Sequence, residues 1–138
     1  MDPTHAPSHV PTHIMKQLFA SFVLGDTPGV MELVHPEGEF VFPGDPAILP
    51  WAGRWRGPAF ERFIDAVKDS LDYLEYTVLE FLPVDEQRVV VRALERVRSK
   101  ATGRAVVNPH IGVATVVDGL FFRWEEYSDT AALERGFW

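Results

Sequence analysis

The spacing of apolar residues changes midway along this chain, from the period of a helix to the alternation of a strand. Residues 14–23 and 60–71 carry apolar side chains at helical spacing. In the second half the period is two, in four segments at 73–83, 88–100, 104–117 and 120–128. Short turns separate these segments, and Asp118-Gly119 is typical of tight hairpins. Helices followed by an antiparallel meander predict an α+β domain.

The other predicted elements are short. Asp26-Thr27-Pro28 begins a second helix that His35-Pro36 ends, and residues 40–42 form a short strand. A loop with two tryptophans follows, and Gly57-Pro58 begins the helix that carries the second apolar stripe. Asp129 is expected to cap a short final helix that runs to residue 137.

The first thirteen residues are rich in proline, histidine, threonine and serine, and we expect a disordered tail there. His5, His9 and His13 recur every fourth residue, which on a helix would align them as metal ligands. Three prolines interrupt the same stretch and disfavour a continuous helix, so the tail is the preferred interpretation. A single domain is then expected over residues 14–138.

Charge and composition argue against several classes of protein. A net charge of -7 disfavours nucleic acid as a partner, because phosphate binding needs a basic surface. The absence of cysteine removes disulfides and thiolate catalysis. No apolar run is long enough to span a membrane, and no basic flank precedes an apolar segment as in a secretory signal. We expect a cytoplasmic protein that binds a small molecule rather than a membrane.

Ionisable residues interrupt the apolar strands of the last third. Glu95 shares a strand face with apolar neighbours only, which are Val89, Val91, Ala93 and Val97. Burial there should raise the pKa of the Glu95 carboxyl, which suits a general acid or base near neutral pH. The alternative is a glutamate at a strand end that is hydrogen-bonded or paired with an arginine.

Alternation also separates the two glutamates of the last strand. Glu126 shares a face with Phe122, Trp124 and Ser128, whereas Glu125 lies on the other face beside an arginine. Glu126 is therefore the candidate for a cavity and Glu125 for the surface. The alternative for Glu126 is a solvated position at the strand end.

The sequence Asn108-Pro109-His110 lies in the strand before. Asn108 and His110 share a face if Pro109 introduces no bulge. Histidine exchanges protons near neutral pH, and asparagine can hydrogen-bond a substrate oxygen. The ordinary alternative is a half-buried histidine with satisfied hydrogen bonds.

The order of elements resembles the nuclear transport factor 2-like superfamily, and within it the SnoaL-like polyketide cyclases. Limonene epoxide hydrolase and ketosteroid isomerase are cousins in the same superfamily. The residues that carry the likeness are the loop 50–57, the turn Thr102-Gly103-Arg104 and the run 117–129, and it covers residues 12–138. The resemblance implies a cone-shaped fold, in which a curved antiparallel sheet wraps around N-terminal helices.

The resemblance also implies roles for the polar residues. In SnoaL-like cyclases a polar-x-His pair on one strand faces a carboxylate on the next, and Asn108, His110 and Glu126 match these positions. The cyclases typically use aspartate where this chain has glutamate. His110 and Glu126 would then shuttle a proton, Asn108 would polarise an oxygen, and Glu95 would assist. The expected aromatic walls are Trp51, Trp55, Phe40, Phe42, Phe63, Phe122 and Trp124.

Three functions remain open. The first is a proton-transfer enzyme without cofactor or metal, an isomerase or aldol-type cyclase, that acts on a small hydrophobic carbonyl compound. The second is epoxide hydrolysis by Glu95 and Glu126, although the arginine of limonene epoxide hydrolase is replaced here by Ala93. The third is a non-catalytic module that binds a small ligand. A homodimer is expected through an outer sheet face with Arg92, Leu94, Arg96, Phe121, Arg123 and Tyr127.

Overall fold

The computed structural model describes residues 9–138, which contain four α-helices and one six-stranded sheet. The helices are α1 (Val10–Val23), α2 (Thr27–Met31), α3 (Phe60–Ser70) and α4 (Thr130–Arg135). The strands are β1 (Val34–Phe42), β2 (Gly53–Arg56), β3 (Leu71–Pro83), β4 (Arg88–Ser99), β5 (Ala105–Val117) and β6 (Leu120–Ser128). A 3₁₀ turn at Gly57–Ala59 leads into α3.

The sheet has the strand order β2-β1-β6-β5-β4-β3. Neighbouring strands are antiparallel except for β1 and β6, which are parallel. The sheet is curved and unclosed, and the predicted α+β cone is confirmed. The core joins the concave face of the sheet to α1 and α3, which contribute the buried residues Met15, Leu18, Phe60, Phe63, Ile64 and Val67.

The second half of the chain follows its sequence pattern closely. All four predicted strands are present, each with bounds within two residues of those expected. Asp118 and Gly119 have φ values of 53° and 75°, the conformation that a tight hairpin turn requires. The side chains of Asp26 and Asp129 accept hydrogen bonds from Gly29 N and Ala132 N and so cap α2 and α4.

The start of α1 differs from the prediction. The helix begins at Val10, so residues 10–13, which were assigned to the tail, are helical. Pro11 lies in the first turn, where the missing N–H has no helical acceptor to lose, and its side chain is buried. His9 precedes the helix, and His5 lies outside the described residues.

The segment after α1 also differs from the prediction. The second helix ends at Met31 and not at His35-Pro36, which belong to β1. The register of β1 against β6 shifts between Val34 and Glu39, and this irregularity accommodates a proline that a regular ladder would exclude. The tryptophan loop contains β2, which pairs with the other edge of β1 and was not predicted.

Two of the register shifts in the sheet decide which side chains near the cavity face the concave side. In β3 the register shifts between Tyr73 and Glu75, and in β6 it shifts at Phe122. An extra residue in one strand moves the following side chains to the other face. Phe121 is therefore 2% exposed and inside the cone. Phe122 lies outside, with its ring against His35.

The outer sheet face has the composition on which the dimer prediction rests, with one exception. Phe121 does not belong to it, whereas Val107, Ile111 and Tyr127 are exposed there. Mixed apolar and charged surfaces of this kind are common in protein interfaces. We expect a mass of two chains by light scattering at micromolar concentration. A charge placed in the centre of the face, Ile111→Glu, should shift the mass toward one chain, and a monomeric parent would contradict the prediction.

The 3₁₀ turn lies so close to β1 that replacement of Gly57 should destabilise the fold. Gly57 has a φ of +47°, and a Cβ there would lie 2.2 Å from Pro36 O. Gly103 also has a positive φ, +75°, but a Cβ there would meet nothing within 4 Å. Gly103→Ala should lose about 1 kcal/mol of stability through its backbone alone. Gly57→Ala should lose clearly more in urea denaturation, and equal losses would contradict the close approach.

Candidate active site

A cavity lies between the concave face of the sheet and helices α1 and α3. About 590 Å³ of space that no atom fills lies there, its open mouth included. The lining residues are Met15, Leu18, Phe19, Phe22, Phe42, Trp51, Phe60, Phe63, Val67, Leu71, Tyr73, Tyr76, Glu95, His110, Phe121, Trp124 and Glu126. Its roof is apolar, and its protonatable groups all come from the sheet.

Three of the four predicted polar residues converge on this cavity. Glu95 on β4, His110 on β5 and Glu126 on β6 all line it. His110 Nε2 lies 3.9 Å from Glu126 Oε1, and the two side chains are 3% and 14% exposed. Pro109 adds no bulge, since β4 and β5 pair without a break from Arg88 to Arg98. The face assignment of His110 therefore holds.

Asn108 has a different place from the one predicted. It lies opposite Glu95 in the ladder and is 3% exposed, but it does not line the cavity. Its Nδ2 donates to Glu95 Oε1 at 2.8 Å, and its main-chain oxygen lies 3.4 Å from His110 Nδ1. The Asn108 side chain therefore holds the Glu95 carboxyl, and its contact with a substrate oxygen stays a prediction.

The sequence did not reveal Tyr73 and Tyr76 as members of the site. The Tyr76 hydroxyl lies 3.0 Å from His110 Nε2, and both tyrosines line the cavity. Strict alternation puts residues three apart on opposite faces, but the bulge between Tyr73 and Glu75 turns both rings inward. A sequence shows no clear signal for such a bulge.

Four of the seven predicted aromatic contacts line the cavity, and these are Phe42, Trp51, Phe63 and Trp124. Phe40 is fully buried behind this layer, against the rings of Phe60 and Phe121. Trp55 packs on Phe63, and its indole donates to Trp51 O at 2.8 Å. The bulge in β6 turns Phe122 to the outer face, so Phe122 does not line the cavity. Helix α1 contributes two rings that were not predicted, Phe19 and Phe22.

Burial in this apolar cavity changes the protonation of both acids. Desolvation raises the pKa of Glu95 to about 7, and the hydrogen bond from Asn108 opposes this shift. Desolvation, with the nearby Glu95 charge, raises the pKa of Glu126 to about 8, and the Trp124 N–H opposes it. Both carboxyls therefore exist partly in the neutral, hydrogen-bond-donating form near neutral pH.

The other protonatable groups are neutral near pH 7. Desolvation lowers the pKa of His110 below its usual range, and the Asn108 carbonyl opposes the shift. Desolvation and the Glu95 charge raise the pKa of Tyr76 and of Tyr73 well above the usual value. With Nδ1–H facing the Asn108 carbonyl, Nε2 of His110 is left as an acceptor for the Tyr76 hydroxyl.

No arginine or lysine of residues 9–138 lines the cavity. Arg92 pairs with Glu80, and Arg54 pairs with Glu39 at 2.8 Å, both on exposed surface. No cluster of three His, Asp or Glu side chains in the described part of the chain has the geometry of a metal site. None of the described helices has the length and hydropathy to cross a membrane.

A curved sheet that presents an imidazole and two acids to an apolar hollow defines a class of small α+β pocket proteins. The chain belongs to the SnoaL-like domain family, because the model of that family matches residues 15–124. Among curated proteins the comparison finds no match.

Solved structures with the same fold are numerous. An NTF2-like protein from Burkholderia xenovorans LB400 is 26% identical, with a TM-score of 0.81 over 94% of this chain and 97% of that one. TerC, co-crystallized with polyporic acid, is 23% identical, with a TM-score of 0.81 over 93% and 98%. A candidate isomerase from Bacillus subtilis is 18% identical, with a TM-score of 0.80 over 94% and 93%.

The raised pKa values predict how stability depends on pH. An acid whose pKa is higher in the folded than in the unfolded chain stabilises the fold while protonated, and this contribution is lost as pH rises through the folded pKa. For Glu126 the loss runs from about pH 4.5, where the carboxyl of the unfolded chain ionises, to about pH 8, where that of the folded chain does. Between pH 5 and 8 the free energy of unfolding of the parent should fall by about 3 kcal/mol more than that of Glu126→Gln.

Urea denaturation at fixed ionic strength measures this difference. Glu125→Gln is the matched control, because Glu125 lines a groove on the outer sheet face and not the cavity. It should follow the parent at every pH. Parallel curves for the parent and Glu126→Gln would show that the Glu126 carboxyl is not desolvated.

Proposed function

We propose that this chain is an enzyme that moves a proton on a small hydrophobic carbonyl compound, as an isomerase or aldol-type cyclase. The observation that carries the proposal is the row Tyr76–His110–Glu126, with contacts of 3.0 and 3.9 Å, on the floor of an aromatic cavity. It offers one acceptor and two donors, all uncharged near pH 7. Enolisation next to a carbonyl requires a base for the C–H proton and donors for the developing oxyanion.

His110 is the base in this proposal. Its Nε2 is unprotonated at neutral pH, because burial lowers the pKa of the imidazole. When a substrate enters, Nε2 takes the proton from the carbon next to the carbonyl, and the imidazole becomes a cation beside two acids. The contact of Nδ1 with the Asn108 carbonyl keeps the ring in the orientation and tautomer for this step.

Glu126 and Tyr76 are the donors. A carboxyl with a pKa of about 8 is mostly protonated at pH 7 and donates to the substrate oxygen. The Tyr76 hydroxyl, which lies on Nε2 in this structure, turns to the same oxygen when the proton moves. Charge on the enolate oxygen is thus stabilised without a cation. Return of the proton from His110 to a different carbon completes an isomerisation. In a cyclisation the enolate carbon attacks a second carbonyl, and the oxygen of that carbonyl takes the proton from His110.

Glu95, on the strand next to that of His110, affects the protonation of His110 and Glu126. Ionisation of Glu95 raises the pKa of Glu126 and would stabilise the imidazolium of His110. Asn108 in turn fixes the Glu95 carboxyl. The names of two structures with the same fold favour a small-molecule function, since TerC was co-crystallized with polyporic acid and the Bacillus protein is named as a candidate isomerase.

Epoxide hydrolysis receives less support than proton transfer. It needs a positive group between the two acids, and both Arg54 and Arg92 lie on the exposed surface in other ion pairs. Ligand binding without turnover remains the second candidate, because the cavity and its aromatic walls would serve it equally.

Exchange of carbon-bound protons in D₂O tests the proposal without knowledge of the substrate. The probes are 2-tetralone and 1-indanone, and ¹H NMR follows the loss of the signals next to the carbonyl. The parent should accelerate exchange of at least one probe above the buffer rate. His110→Ala should lower that rate about 100-fold, and Glu126→Gln about tenfold. The rate should fall above pH 8 as Glu126 loses its proton.

Glu125→Gln is again the control and should exchange like the parent. Saturable binding of both probes with no acceleration of exchange would favour the ligand-binding module. Equal exchange by the parent and His110→Ala would contradict the role of the imidazole.

A further inference from the structure

Trp124 connects the wall of the cavity to one of its acids. Its Nε1 lies 3.3 Å from Glu126 Oε1, and its side chain is 3% exposed. An indole N–H can only donate, so this contact requires that Oε1 be the accepting oxygen of the carboxyl. The same Oε1 lies 3.9 Å from His110 Nε2. The indole therefore keeps the acid beside the imidazole and leaves the other oxygen, Oε2, for the cavity.

The position of the Trp124 ring depends on Gly112. This glycine lies directly opposite Glu126 in the β5–β6 ladder and faces the cavity side of the sheet. A Cβ at Gly112 would lie 2.0 Å from Cζ2 and Cη2 of Trp124, so no other residue leaves room for the ring. Phe19 and Phe121 flank the ring with centroids at 6.1 Å each. The ring is thus confined on three sides and covers the floor beside the acid.

We propose that Trp124, seated over Gly112, is a positioning residue for Glu126 and sets the depth to which a ligand enters the cavity. The part of this inference that concerns rate rests on the proposed function. The part that concerns the contact between the indole and the acid does not, because it is a property of the unliganded protein.

The contact itself is tested by ¹H–¹⁵N NMR of the indole groups during a pH titration. The Trp124 N–H signal should move as the Glu126 carboxyl ionises, with a midpoint near pH 8. Glu126→Gln should abolish this movement. The signal of the Trp51 indole is the control. Trp51 lines the same cavity, but its ring packs on Phe137. A Trp124 signal that does not titrate, or that titrates equally in Glu126→Gln, would overturn the inference.

The positioning role is tested with Trp124→Phe, which keeps an aromatic ring and removes the donor. For 2-tetralone exchange, kcat should fall about tenfold, the worth of one hydrogen bond, while KM changes little. The pH above which the rate falls should also increase, because the variant lacks the Trp124 hydrogen bond that lowers the pKa of Glu126. Trp51→Phe should leave the pH profile in place. An unchanged profile in Trp124→Phe would overturn the positioning role.

Gly112→Ala tests the seat of the ring. The added methyl group should push the indole off the sheet, so the Trp124 signal should lose its dependence on pH and KM for 2-tetralone should rise several-fold. Gly103→Ala is the matched control, since a Cβ there meets nothing within 4 Å. A titrating Trp124 signal in Gly112→Ala would contradict the proposed seat. If the parent exchanges neither ketone, the proposed function fails, whereas the indole titration still decides this inference.

Discussion

Desolvation of two carboxyls without a balancing cation is the constraint on which the site depends. Glu95 and Glu126 lie in a hollow lined by aromatic rings, and no arginine or lysine of residues 9–138 lines it. A buried charge without a partner is costly, so each acid retains its proton to a higher pH than usual. The same environment keeps His110 uncharged. A neutral base and neutral donors in contact are what enolisation at pH 7 needs.

The sheet geometry brings these groups together. His110 pairs with Ala93 on one side and Ser128 on the other, while Glu95 and Glu126 pair with Asn108 and Gly112. Side chains from adjacent rows of three strands thus share one concave face. Hydrogen bonds from Asn108 and Trp124 then fix the acids that would otherwise rotate freely.

Much of this arrangement was predictable from the sequence, because strand alternation is a local property. The meander, its hairpin at Asp118-Gly119 and the inward positions of Glu95, His110 and Glu126 followed from period two and from the likeness to SnoaL-like cyclases. The fold class and the family were confirmed. The roles proposed for the site residues stay predictions.

The failures came from irregular backbone. Each bulge reverses the alternation, so Tyr76 was missed and Phe122 was assigned to the wrong face. The parallel pairing of β1 with β6 and the edge strand β2 depend on distant contacts that local patterns do not encode. The hydrogen bond from Asn108 to Glu95 was also not predicted, because the two residues lie on different strands.

The central claim is that two acids lie desolvated in one cavity. Carbon-13 NMR of the glutamate side-chain carboxyls in the parent protein measures it directly during a pH titration. The account predicts that two glutamates titrate near pH 7 and pH 8. If every glutamate carboxyl titrated near 4.5, the acids would be solvated and the cavity would hold no neutral donor at pH 7.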